Sequence, residues 1–250
     1  MVLAATAPFA RPALAAEATV AVAANFLHPS EALQTLFATH TGHRLRISSG
    51  STGQLYAQIV NGAPYDVFLA ADQRRPRLLE ERGLAVHGSR FTYAMGALTL
   101  WSPDAARIDE AGPRVLRRSD FRHLAIANPE LAPYGLAARQ ALQTLGLWDA
   151  LGSKLVRGEN IAQTFQFVVT GNAELGFVAL SQVLSPRNRA PGSRWNVPGT
   201  LHEPIRQDAV LLARGRDNPA ASAFLGFLRS AKAAALIRSF GYDLVGTGEP

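Results

Sequence analysis

The chain has 250 residues, of which 48% are hydrophobic and 18% charged, a composition that supports a sizeable core and excludes general disorder. The absence of cysteine excludes disulfides, thiolate metal sites and cysteine nucleophiles. The net charge of +6 comes mainly from arginines scattered in ones and twos, without an aromatic-interleaved basic stripe, so no nucleic-acid partner is predicted.

Residues 1–16 have the character of a clipped secretory signal peptide. The segment is rich in alanine, has no acidic residue and contains Ala13-Leu14-Ala15, an A-x-A pattern of the kind that signal peptidase cleaves. The tail of a cytosolic protein is the alternative. No other stretch reaches the roughly 18 apolar residues that cross a bilayer, so a soluble mature protein is predicted.

Strands and helices alternate through the first part of the chain. The predicted order is a strand at residues 19–23, a helix at 26–41, a strand at 44–48, a helix from Ser51-Thr52 to Gly62, a strand at 66–71 and a helix to residue 81. Asn25 is the expected N-cap of the first helix, and Ser51 with Thr52 caps the second. This alternation predicts a parallel sheet covered by helices on both faces.

An extended run at residues 91–101, FTYAMGALTLW, is longer than one strand requires and is predicted to cross between two lobes. The alternation then restarts, with strands at 124–127, 155–156 and 175–179 and helices at 135–145 and 161–169. Residues 185–202, rich in Pro, Gly, Arg and Asn, are predicted to form a loop. A second extended run at 205–213 and a helical tail at 220–240 complete the chain.

These two series predict an α/β protein with two lobes joined by two crossover segments. The first lobe comprises residues 17–95 and 208–250 and the second comprises residues 96–207, each with a mostly parallel sheet and flanking helices. A ligand in such an arrangement lies in the cleft at the carboxyl ends of the strands.

Four turns in the chain share one pattern, in which a short strand breaks into small polar residues and then opens a helix. They lie at residues 20–25, 47–53, 126–135 and 156–161. A helix N-terminus has N–H groups without partners and carries partial positive charge. Four such termini directed at one point predict a receptor for an anion.

Hydroxyl side chains in two of these turns add candidate donors. Ser51 and Thr52 lie in the SSGSTG loop, which lacks the lysine of a nucleotide-binding P-loop, and a simple helix cap is the alternative interpretation. Tyr134 stands just before a helix-opening glycine, where its hydroxyl can reach whatever the N-terminus faces. Packing of its ring in the core is the alternative.

Signals for catalysis are weak. The one close histidine pair, His40-x-x-His43, has no carboxylate companion, so neither a metal site nor a cofactor is predicted. No G-x-S-x-G elbow and no marked acid/base pair is present, which favours a binding protein over an enzyme.

Several segments resemble the periplasmic molybdate-binding proteins of ABC importers. In the order and spacing of that family, the chain contains VAVAANF, SSGSTGQLYAQIVNGAPYDVFLAADQ, NPELAPYGLAARQAL, LVRGENIAQTF and ELGFVALSQV. The segment NGAPYDVFLAAD is the most specific of these. The resemblance covers nearly all of the chain after residue 16 and implies the two-lobed periplasmic-binding-protein fold of type II.

The resemblance also implies a set of ligand residues. The first-loop donor matches Asn25, with the backbone of Ala24 beside it. The second-loop donor matches Thr52, where serine is usual, and Ser51 is the alternative donor in that loop. In the other lobe the donors match the Tyr134 hydroxyl and the backbone N–H of Ile161.

The function that the resemblance implies is binding of molybdate, and of tungstate, outside the cytoplasm for delivery to the membrane subunits of an ABC permease. A periplasmic monomer without a cofactor is expected. A receptor for another tetrahedral oxyanion such as sulfate is one alternative. The effector domain of a transcription regulator is another, which would require a DNA-binding segment where residues 1–16 stand.

Overall fold

The computed structural model describes residues 15–190 and 192–244, and the predicted signal-peptide remnant lies almost entirely outside them. It contains two five-stranded mixed sheets with flanking helices. The predicted two-lobed α/β architecture is therefore confirmed.

The first lobe begins with a βα series. Its elements are β1 (Glu17–Ala23), α1 (Leu27–Thr41), β2 (Arg44–Gly50), α2 (Thr52–Val60), β3 (Val67–Leu69), α3 (Arg74–Glu81) and β4 (Phe91–Gly96). The central strand β1 pairs in parallel with β2 on one side and with β3 on the other. Its apolar residues at 20–23 are buried between helices on the two faces, as expected for a parallel strand.

The second lobe repeats this plan. Its elements are β5 (Leu98–Ser102), β6 (Leu124–Ala127), α4 (Pro133–Thr144), β7 (Leu155–Gly158), α5 (Ile161–Val169), β8 (Leu175–Ala179), α6 (Leu180–Val183) and β9 (Ser193–Asn196). The strand order is β7-β6-β8-β5-β9. The pairings of β6 with β7 and β8 are parallel, whereas β5 is antiparallel to β8 and β9.

The chain then returns to the first lobe through β10 (Ile205–Leu211), α7 (Pro219–Leu228) and α8 (Ala231–Ser239). Strand β10 lies between β3 and β4 and is antiparallel to both, so the sheet order is β2-β1-β3-β10-β4. Both β5 and β10 enter their sheets from the cleft and run away from it. They are therefore antiparallel to the neighbouring strands that end at the cleft, and each sheet is mixed rather than mostly parallel.

The C-terminal helices pack on the first lobe, as predicted. Phe224 and Phe227 of α7 contact Phe37 of α1, with ring centroids 5.4 and 5.6 Å apart. Within residues 15–190 and 192–244, no single helix is long and apolar enough to span a membrane. Only α7 and α8 taken together, with a bend of 66° between them, have that length and apolarity.

Several boundaries differ from the sequence predictions. Strand β9 and helix α6 fall in or beside the predicted loop, and the helical tail is two helices, the second capped by Ser230. Helix α4 begins at Pro133 rather than Gly135. A 3-10 turn at Ala24–Phe26 precedes α1, and the prediction of Asn25 as an N-cap was wrong because its side chain makes no cap bond there.

Candidate functional site

The four helix-opening turns meet around one small cavity between the lobes. The residues that line it are Ala23, Ala24, Asn25, Ser51, Thr52, Ala71, Ala132, Pro133, Tyr134, Asn160 and Ile161. All six residues predicted to bind an oxyanion are among them. The structure thus brings together groups that are up to 137 positions apart in sequence, at the carboxyl ends of the strands.

The turn before α2 places two hydroxyls at the cavity. Ser51 is the N-cap of α2, with its Oγ accepting from the Gln54 N–H at 3.3 Å, and the Gln54 side chain accepts in return from the Ser51 N–H. Thr52 Oγ1 accepts from the Ala71 N–H at 3.1 Å. A hydroxyl has one hydrogen and two lone pairs. Each of these two hydroxyl groups accepts one hydrogen bond from a backbone N–H, and its own hydrogen stays available for a ligand.

The turn before α1 offers backbone N–H groups. Its N-cap, Ala23, makes no side-chain cap bond, so the first N–H groups of the 3-10 turn, on Ala24 and Asn25, have no partner within the turn. The Asn25 side chain is engaged inside the protein. Its Nδ2 donates to Gln207 Oε1 at 2.7 Å and to Tyr242 OH at 3.0 Å. Both amide hydrogens are thereby used, and the backbone is the part of Asn25 that is free to donate.

The turn before α5 leaves one backbone donor at the cavity. The N-cap Asn160 accepts through Oδ1 from the N–H groups of Ala162 and Gln163, both at 3.0 Å. These are the second and third residues of the helix. The cap therefore does not serve the first, Ile161, whose N–H is the donor predicted from the sequence.

The turn before α4 contributes a phenol. Pro133 occupies the first helical position and has no N–H to offer, and Tyr134 follows it in the first turn. The Tyr134 side chain is 2% exposed, and its hydroxyl has no hydrogen-bond partner among the described residues. Gly135 lets the start of α4 lie against the end of β6, because a Cβ at residue 135 would overlap the Ala127 carbonyl oxygen.

The cavity is electrically neutral apart from its helix termini, since no lining residue carries a charged side chain. Burial raises the pKa of Tyr134 well above the ordinary value of 10, and the nearby phenols of Tyr242 and Tyr93 add to the rise. These two phenols act on the pKa of Tyr134 through their proximity. Neither makes a hydrogen bond of good geometry with the Tyr134 hydroxyl. Tyr134 is therefore protonated at physiological pH and can donate.

The lobes are closed over the cavity. Each of the six predicted ligand residues is at most 7% exposed. Bonds between the lobes run from the Gly53 N–H to the Leu131 carbonyl at 2.8 Å and from Arg75 Nη2 to the Glu130 carbonyl at 3.0 Å. The residues around the cavity are therefore shielded from solvent by both lobes.

A further contact between the lobes lies beside this cleft. His28 Nδ1 is 2.9 Å from Ser185 Oγ, and Arg187 pairs with Glu31 at 2.7 Å. Burial lowers the pKa of His28 and Arg187 lowers it further, against an opposing effect of Glu31. His28 is thus neutral at pH 7.

The sequence analysis missed a polar cluster behind the cavity. Tyr242 OH donates to the Asn25 carbonyl at 2.8 Å and lies 2.9 Å from Ser181 Oγ, which itself donates to that carbonyl at 3.0 Å. Gln207 joins the cluster through Asn25. No local pattern marks these residues, because their partners lie as many as 217 positions away.

Comparison with known proteins identifies the family. Residues 18–243 match the family model described as bacterial extracellular solute-binding protein. The chain belongs to this family. It is 56% identical over 232 residues to the molybdate-binding protein ModA of Azotobacter vinelandii, covering 93% of this chain and 92% of that protein. It is 48% identical over 233 residues to ModA of Rhodobacter capsulatus, with 93% and 90% covered.

A solved structure supports the same relationship. The periplasmic molybdate-binding protein of Azotobacter vinelandii superimposes with a TM-score of 0.87 and 44% identity, covering 91% of this chain and 99% of that chain. The resemblance inferred from the motifs is confirmed, and so is the type of fold. The relatives are solute-binding proteins, which confirms the prediction that the chain is not an enzyme.

Proposed function

We propose that the chain captures molybdate in the cavity between its lobes and delivers it to the membrane subunits of an ABC importer. Tungstate, with the same charge and nearly the same size, is a second ligand. The ion is cargo rather than a cofactor. The relatives named above bind molybdate, and the proposal extends that property to this chain.

The observation that carries the proposal is the convergence of four helix N-termini on one small, uncharged, closed cavity. Backbone N–H groups and hydroxyls there supply donors without a buried arginine or lysine. Hydrogen bonds to a charged ligand are stronger than those between neutral groups, and the helix termini add partial positive charge. A dianion is stabilised by such a site although no counter-charge is present.

The character of the donors favours a fully ionised tetrahedral ion. Molybdate carries no proton at neutral pH, so every ligand oxygen accepts. Hydrogen phosphate carries a proton that needs an acceptor, and the orientations of Ser51 and Thr52 provide donors instead. Sulfate has the right charge but is smaller, and the closed cavity is expected to discriminate by size.

The remaining parts of the proposal concern location and assembly. We infer that the protein acts in the periplasm as a monomer and that the membrane permease is its partner. These assignments are supported by the relatives and by the A-x-A pattern at residues 13–15.

Titration calorimetry tests the proposal. Molybdate and tungstate are expected to bind with one ion per chain, whereas sulfate should bind roughly ten- to two-hundredfold more weakly, the range that shape discrimination in a pocket supplies. Phosphate should give no heat at the same concentration. Equal affinity for sulfate and molybdate would assign the chain to general oxyanion binding and remove the argument from size.

Closure of the lobes gives a second prediction. We propose that lobe 1 (residues 17–95 and 208–250) and lobe 2 (residues 96–207) rotate about the crossover strands, because the buried cavity admits an ion only when they separate. Small-angle scattering should show a smaller radius of gyration after molybdate is added. An unchanged radius at saturation would show that the ligand-free protein is already closed in solution.

A further inference from the structure

Gln207 stands out among the buried polar residues. Its side chain is completely buried in β10, the strand that carries the chain back from the second lobe. The register against β4 shifts between Gln207 and Asp208, an irregularity of the kind that a β-bulge produces. Bulges re-aim side chains next to functional sites.

Only one end of the Gln207 amide is satisfied. Its Oε1 accepts from Asn25 Nδ2 at 2.7 Å and from Tyr93 OH at 3.4 Å. Its Nε2 is buried and has no partner among the described residues. A buried donor without a partner costs roughly 1–3 kcal/mol, so its retention calls for a physical reason.

The Tyr134 hydroxyl is the second buried group without a partner in this region, and Gly96 places it beside the first. A Cβ built on Gly96 would overlap Tyr134 OH and come within 3.0 Å of Gln207 Nε2. Two buried groups without partners, the Tyr134 hydroxyl from helix α4 and Gln207 Nε2 from the crossover strand β10, thus lie against the same glycine where β4 ends.

We propose that Gln207 is a positioning residue for the oxyanion site, an inference that rests on the proposed function. When Tyr134 donates its hydrogen to the ion, its oxygen keeps lone pairs that can accept from Gln207 Nε2. The chain of donors then runs from Gln207 through Tyr134 to the ion, and each bond polarises the next. Through Oε1 the same amide holds Asn25, so Gln207 connects donors of both lobes at the crossover strand.

A double-mutant cycle tests the inference. Gln207→Met keeps the length of the side chain and removes both of its hydrogen-bonding groups. Its affinity for molybdate should fall roughly three- to tenfold, as expected for the loss of one net hydrogen bond. In a Tyr134→Phe background the same substitution should lower the affinity less than it does in the parent protein, because the hydroxyl through which Nε2 acts is absent and only the bond from Asn25 to Oε1 is lost.

Gln34→Met is the matched control. Gln34 donates through Nε2 to the Leu45 carbonyl at 2.5 Å in the first lobe and does not line the cavity. This variant should bind molybdate like the parent protein. Gln207→Leu, with a smaller side chain, replaces Gln207→Met in the cycle should the latter fail to fold.

The outcomes separate this inference from the proposed function. A parent protein that gives no heat with molybdate overturns both. A parent that binds molybdate while Gln207→Met binds as tightly overturns the positioning role alone. Gln207→Met that lowers the affinity for molybdate by the same factor in the parent protein and in the Tyr134→Phe background would also overturn it. A purely structural contribution of Gln207 would not depend on the Tyr134 hydroxyl.

Discussion

Molybdate at about 1,000 times its Kd is expected to raise the Tm of the purified protein by roughly 8–16 °C. A ligand that binds only the folded state at that excess adds about 4 kcal/mol to the free energy of unfolding. In proteins of this size, each kcal/mol shifts the Tm by roughly 2–4 °C. Because the proposed donors come from both lobes, the stabilisation should extend across the molecule, and a single unfolding transition should move in differential scanning calorimetry.

Sodium sulfate at the same concentration is the control, since it tests the effect of a dianion on a chain with a net charge of +6. It should raise the Tm less than molybdate does, because an ion that binds ten- to two-hundredfold more weakly is then at roughly 5–100 times its Kd and adds only about 1–3 kcal/mol to the free energy of unfolding. A rise as large as that caused by molybdate would mean that the cavity does not select by size, and no rise with either ion would contradict binding in the cleft.

Replacement of Tyr134 by phenylalanine is expected to lower the affinity for molybdate roughly ten- to a hundredfold. A hydrogen bond to a charged group contributes about 1.5–3 kcal/mol, and this substitution removes one while it keeps the ring. Stability without ligand should not fall. The hydroxyl is buried without a partner, so its removal also removes a desolvation cost. The two effects have opposite signs and are measured by calorimetric titration and by thermal unfolding of the ligand-free variant.

Tyr65→Phe provides the comparison, because the Tyr65 hydroxyl bonds to Ser48 Oγ at 3.0 Å and to Gln58 Oε1 at 2.8 Å, away from the cavity. That variant should bind like the parent and lose a little stability. Should Tyr134→Phe bind molybdate as tightly as the parent protein, the hydroxyl is not a ligand donor and the ring serves packing alone.

Local signals in the sequence located most elements of the fold. Strands β6 and β8 and helix α5 have the predicted bounds, and Ser51 is the cap that its position indicated. These features depend on residues within a few positions of one another. Strand β9 was missed because its strand character comes from pairing with β5, which lies about ninety positions earlier in the chain.

The sequence by itself also determined which turns meet at the cavity, since parallel strands with helix-opening turns place all of them at one edge of each sheet. Only the tertiary structure decided what the side chains there do. Asn25 had the local signature of an N-cap, yet its amide bonds to Gln207 and Tyr242, 182 and 217 positions away. The Tyr134 hydroxyl and Gln207 Nε2, from helix α4 and strand β10, likewise meet only in the tertiary structure, beside Gly96, which has no side chain to fill the space between them. Contacts of this kind join segments far apart in the chain, and no short-range pattern encodes them.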